Sequence, residues 1–251
     1  MNNLQKIYEN EILNYLKNNS RYNQTKELCS FNAQEGNRYN HKLMIIGRAV
    51  NGWGNDFSLQ TLEPSNLAQQ VYKKPTNETC SLQWVIDSWG NTEDYNTAKS
   101  AFWRITKNIS KELNIYGDDI DHWASYIVWS NLYKIAPSNG GNPSDMLCDE
   151  QFDGCNQLLQ EELRYYQPQK ILFLTGFNWF EGFLTQNIKC LTKIDSESFV
   201  DAYGKLEIEG NIIDFVIAKH PQGKNESIFN DSVLASFNQL KSPNTPLKIY
   251  Q

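Results

Sequence analysis

The stretch from Lys42 to Gly54, Lys-Leu-Met-Ile-Ile-Gly-Arg-Ala-Val-Asn-Gly-Trp-Gly, constrains the fold more than any other. Leu43 to Ile46 is a continuous apolar run that stops at Gly47. A short unbroken run of this kind suits a strand buried on both faces, as in a parallel sheet. Turn material follows, with Gly47, Gly52 and Gly54 close together, and glycines let a backbone bend sharply and approach a ligand closely. Ligands of open α/β sheets sit beyond the carboxyl ends of strands. The loop is therefore either the floor of a site or simply the exit from a strand.

The rest of the chain supplies partners for that strand. Leu4, Ile7, Tyr8, Ile12 and Leu16 recur at helical spacing and predict an amphipathic helix over 3–19. Residues 20–41 are polar and read as surface loop. Residues 55–96, with Pro64, Pro75, Trp84 and Trp89, show no sustained period, and so long a connection predicts a partly helical excursion beside the site. Ala98, Phe102, Ile105, Ile109 and Leu113 form one stripe of a helix over 97–113; Phe152, Cys155, Leu159, Leu163 and Tyr166 form another over 150–166. Buried strands are expected at 126–132 and 170–175, and a short aromatic helix at 177–186. Residues 205–217 alternate about Gly210-Asn211, a hairpin signal, and the second arm runs into His220-Pro221. A last helix spans about 227–240, with Leu234, Phe237 and Leu240 on one side, before an irregular tail over 241–251 that holds two prolines. Strands alternating with helices imply an α/β fold with a mainly parallel sheet covered on both faces. At 251 residues, a single domain is expected: an N-terminal helix and loop to residue 41, a core over 42–240, and the tail.

The formal net charge of −6 counts against non-specific binding to a phosphate backbone, which needs a local positive patch. Seven Trp, thirteen Tyr and twelve Phe can bury much area or offer stacking platforms. Cys29, Cys80, Cys148, Cys155 and Cys190 are odd in number, with no Cys-x-x-Cys pair; this argues against a disulfide framework or a standard zinc site and for free thiols in a reducing compartment. No charged-then-apolar leader opens the sequence, and no apolar stretch approaches the roughly 18 residues that span a bilayer. A soluble, cytoplasmic protein without membrane contact is expected, as a monomer and without cofactor.

Three strand ends carry polar residues that can converge: Arg48 to Trp53, Asn131 to Lys134, and His220 to Lys224. In this order they resemble the uracil-DNA glycosylase superfamily. Ser130-Asn131-Leu132-Tyr133-Lys134-Ile135-Ala136-Pro137-Ser138-Asn139-Gly140-Gly141-Asn142-Pro143 is similar to the Thr-Asn-Val-Val-Lys-Cys-Arg-Pro-Pro-Gly-Asn-Arg-x-Pro stretch of the iron–sulphur uracil-DNA glycosylases. Cys155, Pro168, Lys170 to Leu174 and Gly176 follow that family's order, His220-Pro221 falls at its His-Pro-Ser motif, and Leu43 to Gly47 falls at its first motif. The resemblance covers roughly residues 42–240. It implies a three-layer α/β/α sandwich with DNA or a nucleotide as partner. The sequence departs from the family where an acid or amide usually follows the first-motif glycine, since Arg48 and Ala49 stand there. It departs again in reading His-Pro-Gln-Gly, and in lacking the paired N-terminal cysteines, so no metal cluster is expected and Cys155 reads as a core thiol.

Cleaving a base from its sugar passes through an oxocarbenium-like state. Water must be oriented, charge on the departing base stabilised, and the extruded base held. The resemblance gives the donor role to His220 and base reading to Asn131, whose amide offers both donor and acceptor to a pyrimidine edge. Read from the residues alone, His220 is rather a satisfied structural histidine at a strand end, and Asn131 is equally a strand-end amide bonded to backbone. Trp53 or Phe57 would stack on the base, and Asp56 or Asn51 would orient water, although an Asp in a turn more often satisfies backbone. Arg48, Lys134, Gln222, Gly223 and Lys224 would contact phosphate. Three functions follow as expectations: a glycosylase hydrolysing a nucleobase–deoxyribose bond, a non-catalytic nucleotide or nucleic-acid binder of the same fold, or an interaction domain whose strand ends merely close the fold.

Overall fold

A computed structural model describes residues 3–73, 80–93, 95–194 and 197–241. Pro75 and the tail from residue 242 onward lie outside the described residues. The N-terminal period folds as one helical run, α1 (Asn3–Ile7), a π-helical stretch (Tyr8–Asn14) and α2 (Tyr15–Asn19). The polar segment after it contains two short strands where loop was expected, β1 (Leu28–Ser30) and β2 (Gln34–Glu35). β3 (Leu43–Gly47) is buried at every residue, as its unbroken apolar run requires. The long excursion contains α3 (Pro64–Val71) and α4 (Gln83–Asp87), and α5 (Ala101–Glu112) follows.

β4 (Val128–Asn131) is shorter than expected, because a 3₁₀ stretch over Ile120–Tyr126 leads into it. β5 (Ile135–Pro137) was not legible as a strand. Then come α6 (Asp145–Tyr166), β6 (Lys170–Phe173), α7 (Phe177–Phe180), β7 (Ile188–Lys193), β8 (Val200–Ile208), β9 (Asn211–Ala218) and α8 (Glu226–Lys241). Asn225 caps α8, its Oδ1 accepting the Ile228 N–H (3.2 Å).

Packing divides the described residues into two compact units. One is drawn from Met1–Ala33, Gly47–Thr76 and Ser130–Tyr165, the other from Gln34–Ile46, Asn77–Trp129 and Tyr166–Gln251. The second unit is built on a seven-stranded sheet of order β2-β4-β3-β6-β9-β8-β7. β3 pairs parallel with β6, and β6 with β9, but β8–β9, β7–β8 and β2–β4 are antiparallel. The sheet is thus mixed, with β3, β6 and β9 parallel at its centre as expected and antiparallel strands added towards its edges, and the protein is mixed α/β. The antiparallel pairing of β8 and β9 follows from their hairpin: Glu209 and Gly210 both take positive φ (50° and 84°), the requirement of a tight primed turn, one residue earlier than the Gly210-Asn211 signal suggested. β7 then adds to β8 at the sheet edge.

Many of the aromatics of this unit pack on one another. Trp84, Trp103 and Trp129 pack edge to face (Trp84–Trp103 5.5 Å, Trp103–Trp129 5.1 Å between centroids), and Phe173, Phe180 and Phe215 form a second cluster. Trp84, placed by its sequence in an excursion, is therefore a packing residue.

The first unit holds a two-stranded sheet of β1 and β5, antiparallel, with Cys29 opposite Ala136. α6 packs on the N-terminal helical run so closely that a Cβ on Gly154 would stand 2.8 Å from both the Glu11 carbonyl carbon and Ile12 Cγ1. A glycine in the middle of a long helix, normally unfavourable, is here what lets two backbones meet.

Candidate functional site

The candidate site is assembled from the loop that leaves β3 and the segment that leaves β4, both in the first unit. The N–H groups of Leu132 and Tyr133 donate to the carbonyls of Gly47 and Arg48 (2.9 Å each), so the ends of the two motifs run side by side. Further along, the Gly141 N–H donates to Asn51 Oδ1 (2.6 Å). Gly52 (φ 76°) faces the Ser138 carbonyl, and Gly140 (φ 93°) lies against the Asn51 side chain. Both loops therefore depend on left-handed backbone that glycine adopts without penalty. Trp53 packs edge to face on Phe31 (5.6 Å) and Phe57 exchanges two backbone hydrogen bonds with Leu28 (2.7 and 2.8 Å). These contacts fix the loop from Arg48 to Phe57 at both ends.

Asn131 is 1% exposed, and its Nδ2 has no hydrogen-bond partner among the described residues. A buried donor left unmatched costs about 1–3 kcal/mol, and such an exception to the rule that buried polar groups are bonded asks for an explanation. The carbonyl of the same residue, by contrast, is held firmly: Lys134 Nζ donates to Asn131 O (2.8 Å), Ser130 Oγ (2.7 Å) and Glu162 Oε1 (2.8 Å), while Ser130 Oγ donates to Glu162 Oε2 (2.8 Å).

Lys134 was expected at phosphate, and the structure corrects this. Its side chain and that of Glu162 are fully buried, with all three ammonium hydrogens engaged and the Phe31 ring 5.9 Å away. No face of the charge is left for an external anion.

The remaining candidates divide by position. Arg48 is half-buried, and desolvation lowers its guanidinium from the ordinary value. Trp53 and Phe57 are half-buried, whereas Asn51 and Asp56 are exposed. Asn51 spends its side-chain oxygen on Gly141. Gln222, Gly223 and Lys224 are exposed in the second unit, on a turn closed by the Lys224 N–H to the Pro221 carbonyl (3.1 Å). His220 opens that turn just beyond β9, and its Nδ1 accepts the Gln222 N–H (3.3 Å). A neutral ring with an accepting Nδ1 carries its proton on Nε2.

Cys155 is a buried core thiol, in contact with Gln151 Oε1 and pushed up to about 12 by burial. Among the described residues, no group of three His, Cys, Asp or Glu is placed to hold a metal ion. No described helix is long and apolar enough to cross a membrane.

Sequence reasoning missed Glu162 and Gln151. Gln151 Oε1 accepts the N–H groups of Lys134 and Ile135 (3.1 and 2.9 Å), and its Nε2 donates to the carbonyls of Ile135 and Leu147 (2.9 and 3.1 Å). The signal was present: Leu147, Gln151, Cys155, Leu158 and Glu162 share one face of α6 and all are buried, so two polar residues interrupt an apolar stripe. Lys134, alone in an apolar run, was the other half of it. A scan of family models gives no match to the chain, and a search of curated proteins gives no significant relative.

Proposed function

We propose that this chain is a nucleobase-recognising protein of the uracil-DNA glycosylase-like, three-layer fold, and that it hydrolyses the N-glycosidic bond of a uracil-type base in DNA. The observation that carries the proposal is the buried, unmatched amide of Asn131 at the end of β4. An amide there would give a base edge a donor that no described residue uses. The sheet order adds support. In β4-β3-β6-β9 the connections from β3 and β6 lead to opposite sides, which makes their carboxyl ends a topological switch point, the usual place for ligands in such sheets.

Each role is assigned separately. Asn131 reads the base, and Trp53 or Phe57 supplies an aromatic face. His220, by its resemblance to the family's histidine, donates from Nε2 to a base oxygen as negative charge grows there, a form of stabilisation worth several kcal/mol in a preorganised site (roughly 2.7–4 for one donor). Asp56 is the exposed carboxylate available to orient water. Arg48 and the amides of Gln222 to Lys224 face phosphate.

The test is a single-turnover assay with protein in excess over short single- and double-stranded oligonucleotides carrying uracil, hypoxanthine, xanthine or a thymine mismatch, with abasic sites read by alkaline cleavage. Release that falls at least a hundredfold in both His220→Ala and Asn131→Ala is the expected result. A folded protein that neither releases nor binds any of these bases would overturn the proposal. A second reading, a non-catalytic binder, is favoured by one observation: Asn51, one of two candidates for the water, already accepts a backbone hydrogen bond from Gly141. That reading predicts Asn131-dependent retention of the uracil oligonucleotide without release.

A further inference from the structure

We infer that the buried Ser130–Lys134–Glu162 ring is a positioning device for Asn131. The inference rests on the base-reading role proposed for that residue. Four hydrogen bonds between 2.7 and 2.8 Å close the ring and its link to the Asn131 carbonyl, and both charged side chains are fully buried. The next peptide is fixed as well, since the Leu132 N–H donates to the Gly47 carbonyl (2.9 Å). The main chain on the carboxyl side of Asn131 is thus clamped from two directions, while its side-chain Nδ2 has no hydrogen-bond partner among the described residues.

Stability alone is a poor reason for such a pair. A buried ion pair is often matched or bettered by apolar side chains of similar volume. What apolar groups cannot supply is a hydrogen bond to the Asn131 carbonyl. Gln151 bonds the backbone of the same segment at Lys134 and Ile135, three helical turns from Glu162 along α6. α6 therefore contributes two buried polar side chains to one six-residue segment. A site whose recognition group stands at the last residue of a strand, where the ladder ends, needs such outside support to hold its geometry.

The experiment uses the triple variant Ser130→Ala/Lys134→Met/Glu162→Leu, because removing one charge alone would strand the other. The first readout needs no ligand: the Asn131 side-chain amide resonances, assigned by their loss in Asn131→Ala. Wild-type protein is expected to give one sharp pair of signals. The triple variant is expected to unfold cooperatively but to show these signals broadened or multiplied, with amide exchange at least tenfold faster. The second readout is binding of a single-stranded oligonucleotide carrying uncleavable 2′-fluoro-2′-deoxyuridine, expected to weaken at least tenfold, with no further loss when Asn131→Ala is added. A folded triple variant with wild-type amide signals would overturn the inference, as would unchanged binding. Wild-type protein that ignores the oligonucleotide would overturn the proposed function instead, and the amide signals would still decide the inference. If the triple variant does not fold, Ser130→Ala, which removes one of the ammonium's three acceptors, carries the same readout with an expected change of about twofold, and unchanged signals there overturn it.

Discussion

Replacing Gly154 by alanine opposes two effects of known sign. On helix propensity alone, alanine in a helix interior is favoured over glycine by about 0.8–1.0 kcal/mol. The packing says the reverse. A Cβ at this position would lie 2.8 Å from the Glu11 carbonyl carbon and from Ile12 Cγ1, and nearer still to the Glu11 oxygen. Carbon atoms pack best at about 3.5–4.0 Å, so the neighbouring helical run would have to move by roughly an ångström. Overpacking of this kind costs about 1–3 kcal/mol, and the upper end applies because the obstacle is mainly backbone. Subtracting the propensity gain leaves a net loss of about 2 kcal/mol. For a chain of this size that is a drop in Tm of about 4–8 °C. Urea and thermal unfolding of Gly154→Ala would measure it, with the exposed neighbour Asp153→Ala as the propensity control, expected to be neutral or slightly stabilising. A Gly154→Ala protein as stable as wild type or more so would refute the claim that α6 and the N-terminal run meet backbone to backbone.

Two further predictions concern titration. Burial holds the Cys155 thiol up at about 12, whereas in the unfolded chain it ionises near 8.5. The folded state keeps a proton that the unfolded state gives up, so this contribution is whole below about pH 8.5 and is lost as pH rises toward 12, at up to about 1.4 kcal/mol per pH unit. Cys155→Ala should accordingly show a shallower fall in urea midpoint between pH 9 and 11, and equal slopes would reject the assignment. Asp119 behaves oppositely: the hydrogen bond from His122, with those from Tyr126 and the charge of Arg38, holds its carboxyl below the usual range. Its contribution is present above about pH 4 and lost as pH falls through the lowered value; an NMR titration of Asp119 giving an ordinary carboxylate value would contradict this.

How much of the protein could be read from its sequence depends on the range of the interaction concerned. β3, α6 and α8 were legible because burial on two faces or one imprints an unbroken run or a helical period on consecutive residues. The nearness of the first two motif ends was legible in part, since strands of an α/β sheet carry their loops at one end, and Asn131 was singled out. Lys134 was misplaced for the opposite reason. Whether a lysine points to water or into a core depends on a carboxylate 28 residues away, and Glu162 looks like any polar residue on an amphipathic helix until its face is known. β5 and β7 were hidden because short strands take their identity from the partner they pair with. The antiparallel pairing of β8 and β9 followed from two positive-φ residues at a turn, one of them a glutamate that no propensity would choose. Sequence by itself determined the buried periodic elements and the chemistry available at their ends. Tertiary structure alone decided which charges are neutralised inside and which buried amide is left unmatched among the described residues, because desolvation and hydrogen-bond pairing are properties of neighbours in space.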